Sequence, residues 1–187
     1  MRAIVLCGSF AAEEEAIVLE TEPPLLLSDV DLAVIVVCLA DLERWAPRRA
    51  ELGAACEALV PEIRFAGRVD VGLMLESDLR ALPARPGVLD MRSAGRVLSG
   101  DPQAIEAIPT YAPSDIGARE AVILVENRIA SLLGVAPGRM EGAGEDWYRL
   151  RYEVAKAYTD MAAAALSVAG SYRPGYDARS RIVMEAS

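Results

Sequence analysis

The sequence predicts an α/β protein of the α+β type, a mixed sheet followed by a C-terminal helical domain. Three observations carry that expectation. Residues 2–7, 33–37 and 69–75 are short apolar runs rich in valine, isoleucine and leucine, each bounded by turn residues, as buried strands are. Beyond residue 102 the apolar spacing lengthens into long helical stretches. The composition is 53% hydrophobic but only 5% aromatic, and its abundant alanine suits closely packed helices.

The elements follow in order. Residues 2–7 read as the first strand, closed by Gly8-Ser9. Residues 10–16 are mostly strong helix formers and predict a short helix. Ile17-Val18-Leu19, the Pro23-Pro24 break and Leu25-Leu26-Leu27 predict an inserted hairpin or loop. Ser28-Asp29-Val30-Asp31-Leu32 then leads into the second strand. Residues 41–46 read as a loop, and Pro47 fits the first turn of a helix that runs to about Leu59 before Pro61. Val69–Leu75 is the third strand. Ser77 is placed to cap a short helix through Leu82, ended by Pro83, Pro86 and Gly87, and residues 96–98 form a short edge strand.

After Gly100-Asp101-Pro102 the character changes, which divides the chain into domains 1–102 and 103–187. Ser114 caps a long helix to Leu133 with Gly134 as its stop. A glycine-rich connection at 137–144 precedes a second long helix, 145–169, and a third starts at Asp177 and runs to the end. The alanine cluster at 162–165 marks close helix packing.

Length and composition exclude several function classes. A chain of 187 residues holds one large domain or two small ones with a sizeable core. Its apolar runs are too short to cross a bilayer and its first residues have no signal-peptide pattern, so it reads as cytoplasmic with no membrane partner. Cys7, Cys38 and Cys56 are widely spaced among apolar neighbours and read as small buried hydrophobes. The absence of histidine removes histidine-based zinc sites, histidine bases and Ser-His-Asp triads. A net charge of −9 disfavours a nucleic-acid groove. It leaves room for a nucleotide whose charge Mg²⁺ balances, and it suits a cationic acceptor.

What remains is carboxylate chemistry. Side chains alternate along a strand, so Asp29 and Asp31 point one way while Val30 points into the core. Two like charges so placed repel, and a divalent cation between them relieves the repulsion. Asp70 sits mid-strand between two valines. The plainer alternatives are a strand-capping loop for Asp29 and Asp31 and an ion pair with Arg68 for Asp70. Gly8-Ser9 reads as a tight turn that can also hold a phosphate through the Ser9 hydroxyl and free N–H groups.

Gly8-Ser9, Asp29/Asp31 and Asp70, in that order, resemble the polymerase-β-type nucleotidyltransferase superfamily, in particular its small bacterial members related to aminoglycoside nucleotidyltransferases. Their pattern is a strand, Gly-Ser, Asp-x-Asp, then a third Asp on a neighbouring strand. Weaker likeness continues through Asp78, Asp90 and the stretch ending Gly100-Asp101, and into the helices around Glu126 and Lys156. The resemblance implies a nucleotidyltransferase core in which Asp29, Asp31 and Asp70 hold Mg²⁺ and act as catalytic carboxylates. Gly8, Ser9 and the sole lysine, Lys156, would contact the triphosphate of ATP or another NTP, Lys156 from the helical domain across the cleft. The implied activity is transfer of a nucleoside monophosphate to a hydroxyl on a small molecule or protein.

Two features leave a second reading open. Relatives follow Gly-Ser with further glycine and a basic residue, whereas this chain has Ala11-Ala12-Glu13-Glu14-Glu15. A non-catalytic binding or regulatory protein of the same fold is the alternative. Glu145-Asp146-Trp147 reads either as acidic capping with a packed tryptophan or as an acidic-aromatic grip for a cationic acceptor. The broad apolar stripe of the first long helix, with Leu150, Val154, Tyr158 and Met161 on the second, exceeds what three helices can cover. It predicts a homodimer or a hetero-complex through the helical domain.

Overall fold

The computed structural model describes residues 1–134 and 144–185. It is a mixed α/β structure of the α+β class with two mixed sheets, and it divides into two compact units. The first comprises Met1–Pro83 and Gly87–Thr110, the second Ala84–Pro86 and Tyr111–Ser187. The division falls beyond residue 102 because the segment after Pro102 belongs to the first core. Ala104 and Ile108, around a 3₁₀ turn at Ala104–Ala107, are buried in it with Leu79 and Met91.

The main sheet has the order β6-β4-β1-β7. Its central strands are β1 (Ala3–Cys7) and β4 (Val30–Val36), paired antiparallel. On the outer side of β4 lies β6 (Val69–Leu75), parallel to it in an unbroken register from Val30↔Val69 to Val36↔Leu75. On the outer side of β1 runs β7 (Arg96–Gly100), antiparallel, with a bulge between Ile4 and Val5. Between β1 and β4 the chain forms α1 (Gly8–Ala11), then β2 (Ile17–Val18) and β3 (Leu25–Leu26), an antiparallel pair that β5 (Arg64–Phe65) joins in parallel. The predicted hairpin is therefore a small second sheet. Ser28, almost fully buried, pins it to the strand that follows by accepting the Ala16 N–H at 2.9 Å.

Both faces of the main sheet are covered. Ala3, Val5, Ala33 and Ile35 face the cluster of Leu79, Met91, Ala104 and Ile108. On the other face, Ile4, Val34, Val36 and Leu73 share an apolar hollow with Trp45 and Leu52. By strand alternation Asp31 shares its face with Ala33 and Ile35. The acids thus do not mark a solvent face opposite the core; they extend a core face beyond its end.

Several local expectations change. The helix expected at 10–16 is a single turn: α1 stops at Ala11, and Glu13 takes a left-handed conformation at φ 59°. Seven residues of good propensity cannot repay helix nucleation without an apolar face to pack. The loop expected at 41–46 is helix α2 (Leu39–Trp45), which a 3₁₀ turn containing Pro47 links to α3 (Arg49–Glu57). Ser77 lies inside α4 (Glu76–Leu79) and donates to Asp78 Oδ1 instead of capping the helix. Pro86 opens helix α5 (Pro86–Ala94) where a break was expected, since proline is well suited to a first helical position. Cys38 is exposed, while Cys7 and Cys56 are half-buried, and all three are free.

The second unit holds α6 (Ala118–Gly134), α7 (Glu145–Val168) and α8 (Tyr176–Glu185). A 3₁₀ turn, Pro113–Asp115, contains Ser114, and α6 begins three residues later than the expected cap implies. The connection expected at 137–144 falls, except for Gly144, outside the described residues. Arg128 of α6 bridges Glu153 and Asp160 of α7. Tyr172 is buried, and Arg179 of α8 stacks on it and donates to its hydroxyl at 2.8 Å. Among the described residues no helix is long and apolar enough to cross a membrane.

Candidate active site

Three strand ends of the first unit meet at one place. The last residue of β1, Cys7, is in register with Asp31 near the start of β4, and Asp31 is in register with Asp70 of β6. Cross-strand partners project to the same face, so Cys7, Asp31 and Asp70 form a row across the sheet. Gly8 follows directly, at φ +65°. A Cβ on Gly8 would overlap Asp31 Oδ2, so both the left-handed turn and the approach to the carboxylate require glycine. Ser9 lies within the single turn of α1 just beyond.

Asp29 has a different setting. It precedes β4, and its Oδ1 accepts the Arg68 N–H at 3.0 Å. A Cβ on Gly67 would sit 2.8 Å from that same oxygen. Asp29 therefore ties the Gly67-Arg68 turn to the start of β4. Register brings Asp31 and Asp70 together as a pair, while Asp29 is engaged at the turn beside them.

Arg68 is the cation paired with Asp70. Its Nε lies 2.8 Å from Asp70 Oδ1. The hydrogen bond and charge of Asp70, aided by Asp29 and Asp31, raise the guanidinium pKa above its ordinary value. The pair is open to solvent: the Arg68 side chain is 72% exposed and that of Asp70 45%. Cys7 feels the same field. Burial, then the charge of Asp31, push its thiol from 9.0 up to about 11, against a smaller opposing effect of the Ala33 backbone. The thiol is therefore protonated at neutral pH and is no nucleophile.

A polar cavity of about 520 Å³ runs along the outer edge of β6, lined by Pro47, Arg49, Glu57, Arg68 and Asp70 among others. Glu57 of α3 accepts the Val69 N–H at 2.8 Å, so this edge strand has one of its amides satisfied from the helix. Arg49 and Glu57 were not singled out in the sequence, where they read as an ordinary solvated helix face. The i, i+2 spacing of Arg68 and Asp70 was the available signal for their pairing.

Whether these residues fit a divalent cation turns on the donor set. Among the described residues no group of three or more His, Cys, Asp or Glu side chains is arranged to hold a metal ion. Two carboxylates side by side do suit Mg²⁺, which is usually held by one or two carboxylates and completes its shell with water and substrate phosphates.

The remaining residues singled out in the sequence belong to other elements. Glu13 and Glu15 are exposed, and Glu13 lies 3.5 Å from Arg96. Lys156 belongs to α7 of the second unit, half-buried, with its Nζ 5.4 Å from the centroid of the Tyr152 ring. Burial works to lower its pKa, but Tyr152 and Tyr176 outweigh that and the pKa is raised. Trp147 is exposed, with the Arg151 guanidinium 5.9 Å from its ring centroid. Comparison with protein-family models, curated proteins and solved structures finds no match to this chain.

Proposed function

We propose that this chain is a Mg²⁺-dependent nucleotidyltransferase that moves a nucleoside monophosphate from an NTP, ATP in the first instance, to a hydroxyl of a small molecule or protein, the bond from the α-phosphorus to the β-phosphate breaking and pyrophosphate leaving. The observation that supports it most is the in-register pairing of Asp31 with Asp70, with Gly8 pressed against Asp31 at the end of β1. It brings together Gly8 and two of the three carboxylates of the pattern, Asp29 standing at the neighbouring turn.

Asp31 and Asp70 would hold the metal. When bound, Mg²⁺ supplies charge neutralisation at the triphosphate and lowers the pKa of the acceptor hydroxyl. Asp70, beside the β6 cavity, takes the acceptor proton as general base. Asp29 keeps the Gly67-Arg68 turn in place, and Arg68 holds Asp70 in the absence of another cation. Gly8 gives the backbone its close approach, and Ser9 offers a hydroxyl to a phosphate oxygen. The proposal rests on the first unit alone.

The ion pair of Arg68 with Asp70 and the acids Glu13 to Glu15 after the turn favour a second reading, a non-catalytic binding or regulatory protein. Calorimetric titration with Mg-ATP separates the two. Micromolar, metal-dependent binding is expected for the transferase, and absence of heat at millimolar nucleotide favours the second. Labelled NTPs with candidate acceptors, including aminoglycosides, then test transfer directly.

A further inference from the structure

We propose that the exposed face shared by α6 and α7 is a self-association surface, through which two copies join with their α7 helices antiparallel about a twofold axis near Tyr158.

On α7 the positions 147, 151, 154, 158, 161, 165 and 168 are all exposed. Their steps alternate between four and three residues, the spacing that forms a continuous seam along a helix. Five of them are large and apolar: Trp147, Val154, Tyr158 (70% exposed), Met161 (57%) and Val168. On α6, Val122, Ile129 and Leu133 are likewise exposed.

The two stripes lie on one side of the helix pair. Gly170, just past the end of α7, lies against Ser114, just before α6, so the helices run antiparallel. The half-buried contact between them includes Arg128 on one helix and Glu153 and Asp160 on the other. Each exposed stripe stands one residue later in sequence than its contact stripe. A step of one residue turns about 100°, and in antiparallel helices the same step turns both stripes to the same side.

With about 150–250 Å² for an aromatic side chain and less for an aliphatic one, the eight residues, 40–79% exposed, present on the order of 800 Å² of mostly apolar surface. A monomer seldom leaves that much contiguous apolar surface in water, and it matches one partner's share of a standard interface. The residue pattern identifies a second copy as the occupant. With the axis near Tyr158, position 147 meets 168, 151 meets 165 and 154 meets 161. Large residues then face smaller ones: Trp147 meets Val168, Met161 meets Val154, and Arg151 meets Ala165 beside the negative end of the partner helix dipole. A parallel pairing would set Arg151 against Arg151 and leave Ala165 facing Ala165. That like-charge contact selects the antiparallel arrangement. Two helix pairs packed this way resemble a four-helix bundle.

The inference is independent of the proposed chemistry. Light scattering and sedimentation across the micromolar range should give a concentration-dependent dimer. Tyr158→Glu and Met161→Glu, both at exposed positions, should weaken it about tenfold or more while leaving the melting temperature of the dilute monomer unchanged. In a Cys38→Ser background, oxidation should link Tyr158→Cys to its own copy. Val154→Cys alone should not link, whereas Val154→Cys mixed with Met161→Cys should. A monomer at all concentrations, a dimer indifferent to both glutamates, or Val154→Cys linking to itself as readily as Tyr158→Cys would each overturn the proposal.

Discussion

Each unit of this protein contains an arginine held by acids, and the two settings are opposites. In the helical unit Arg128 bonds Asp160 through Nε and Nη2 at 2.8 and 2.7 Å and Glu153 through Nη1 at 2.6 Å, with its side chain only 12% exposed. In the sheet unit Arg68 meets Asp70 through Nε alone, at 2.8 Å, and is largely in solvent. The same charge chemistry therefore does different work. The Arg128 bridge cannot exchange its cation without leaving two acids stranded in a poorly solvated place, so it is a fixed link between helices. Asp70 can release its guanidinium to water at little cost and accept another cation.

The largest expected effect tests the buried side of this contrast. Arg128→Ala should lose about 2–3 kcal/mol in urea unfolding, because removing one partner leaves two poorly solvated charges uncompensated, the full ~3–5 kcal/mol belonging to completely buried pairs. A loss below about 1 kcal/mol would make the two arginines equivalent and end the comparison.

Next comes chemistry at the exposed site. On the proposed function, Asp31→Asn and Asp70→Asn should each reduce nucleotidyl transfer by about a hundredfold or more, since several kcal/mol of charge stabilisation depend on the metal they hold. Folding should change little. Unfolding of either variant at ordinary temperature would show that the carboxylate is structural.

A smaller effect reads the field of Asp31 through its neighbour. The Cys7 thiol is raised in the folded protein from 9.0 to about 11, so the native state holds this proton more tightly than the unfolded chain. The sign follows: the associated stability is fully present below pH 9 and is lost as pH rises through about 11. The melting temperature of the wild type should fall more steeply across that window than that of Cys7→Ala. Asp31→Asn should narrow the window, because it removes one of the two causes of the shift.

The smallest effect is expected for Arg68→Ala, about 0–1 kcal/mol as for other exposed pairs, and it should fade in molar salt as screening shortens the range of charge. The same variant should bind Mn²⁺ more tightly, with Asp70 relieved of its resident cation. Unchanged Mn²⁺ affinity would show that Arg68 does not compete for the site.

The sequence was legible where structure is set locally. Apolar runs determine β1 and β6 to within a residue, and β4 apart from its first three residues, which the acids of Val30-Asp31-Leu32 concealed; long helical spacing determines α6 and α7, because burial of a whole face is written into each segment. Short elements were not legible. Leu39–Trp45 and Pro86–Ala94 are helices that only packing on the sheet selects, and residues 10–16, helical by propensity, yield after one turn. At the candidate site the turn at Gly8 was legible, whereas the face of Asp31 was not: it lies with the buried Ala33 and Ile35, on the core side of the sheet. Which carboxylate stands beside which was decided by the register of β4 with β6, a relation between segments 39 residues apart that only the packing of both sheet faces fixes. The same tertiary choice placed Asp29 on the Arg68 amide and Cys7 beside Asp31, whereas the Arg68–Asp70 pair follows from their i, i+2 spacing. Side-chain identity was the sequence's to determine; proximity belonged to the fold, because neighbouring strands carry no record of each other until they pair.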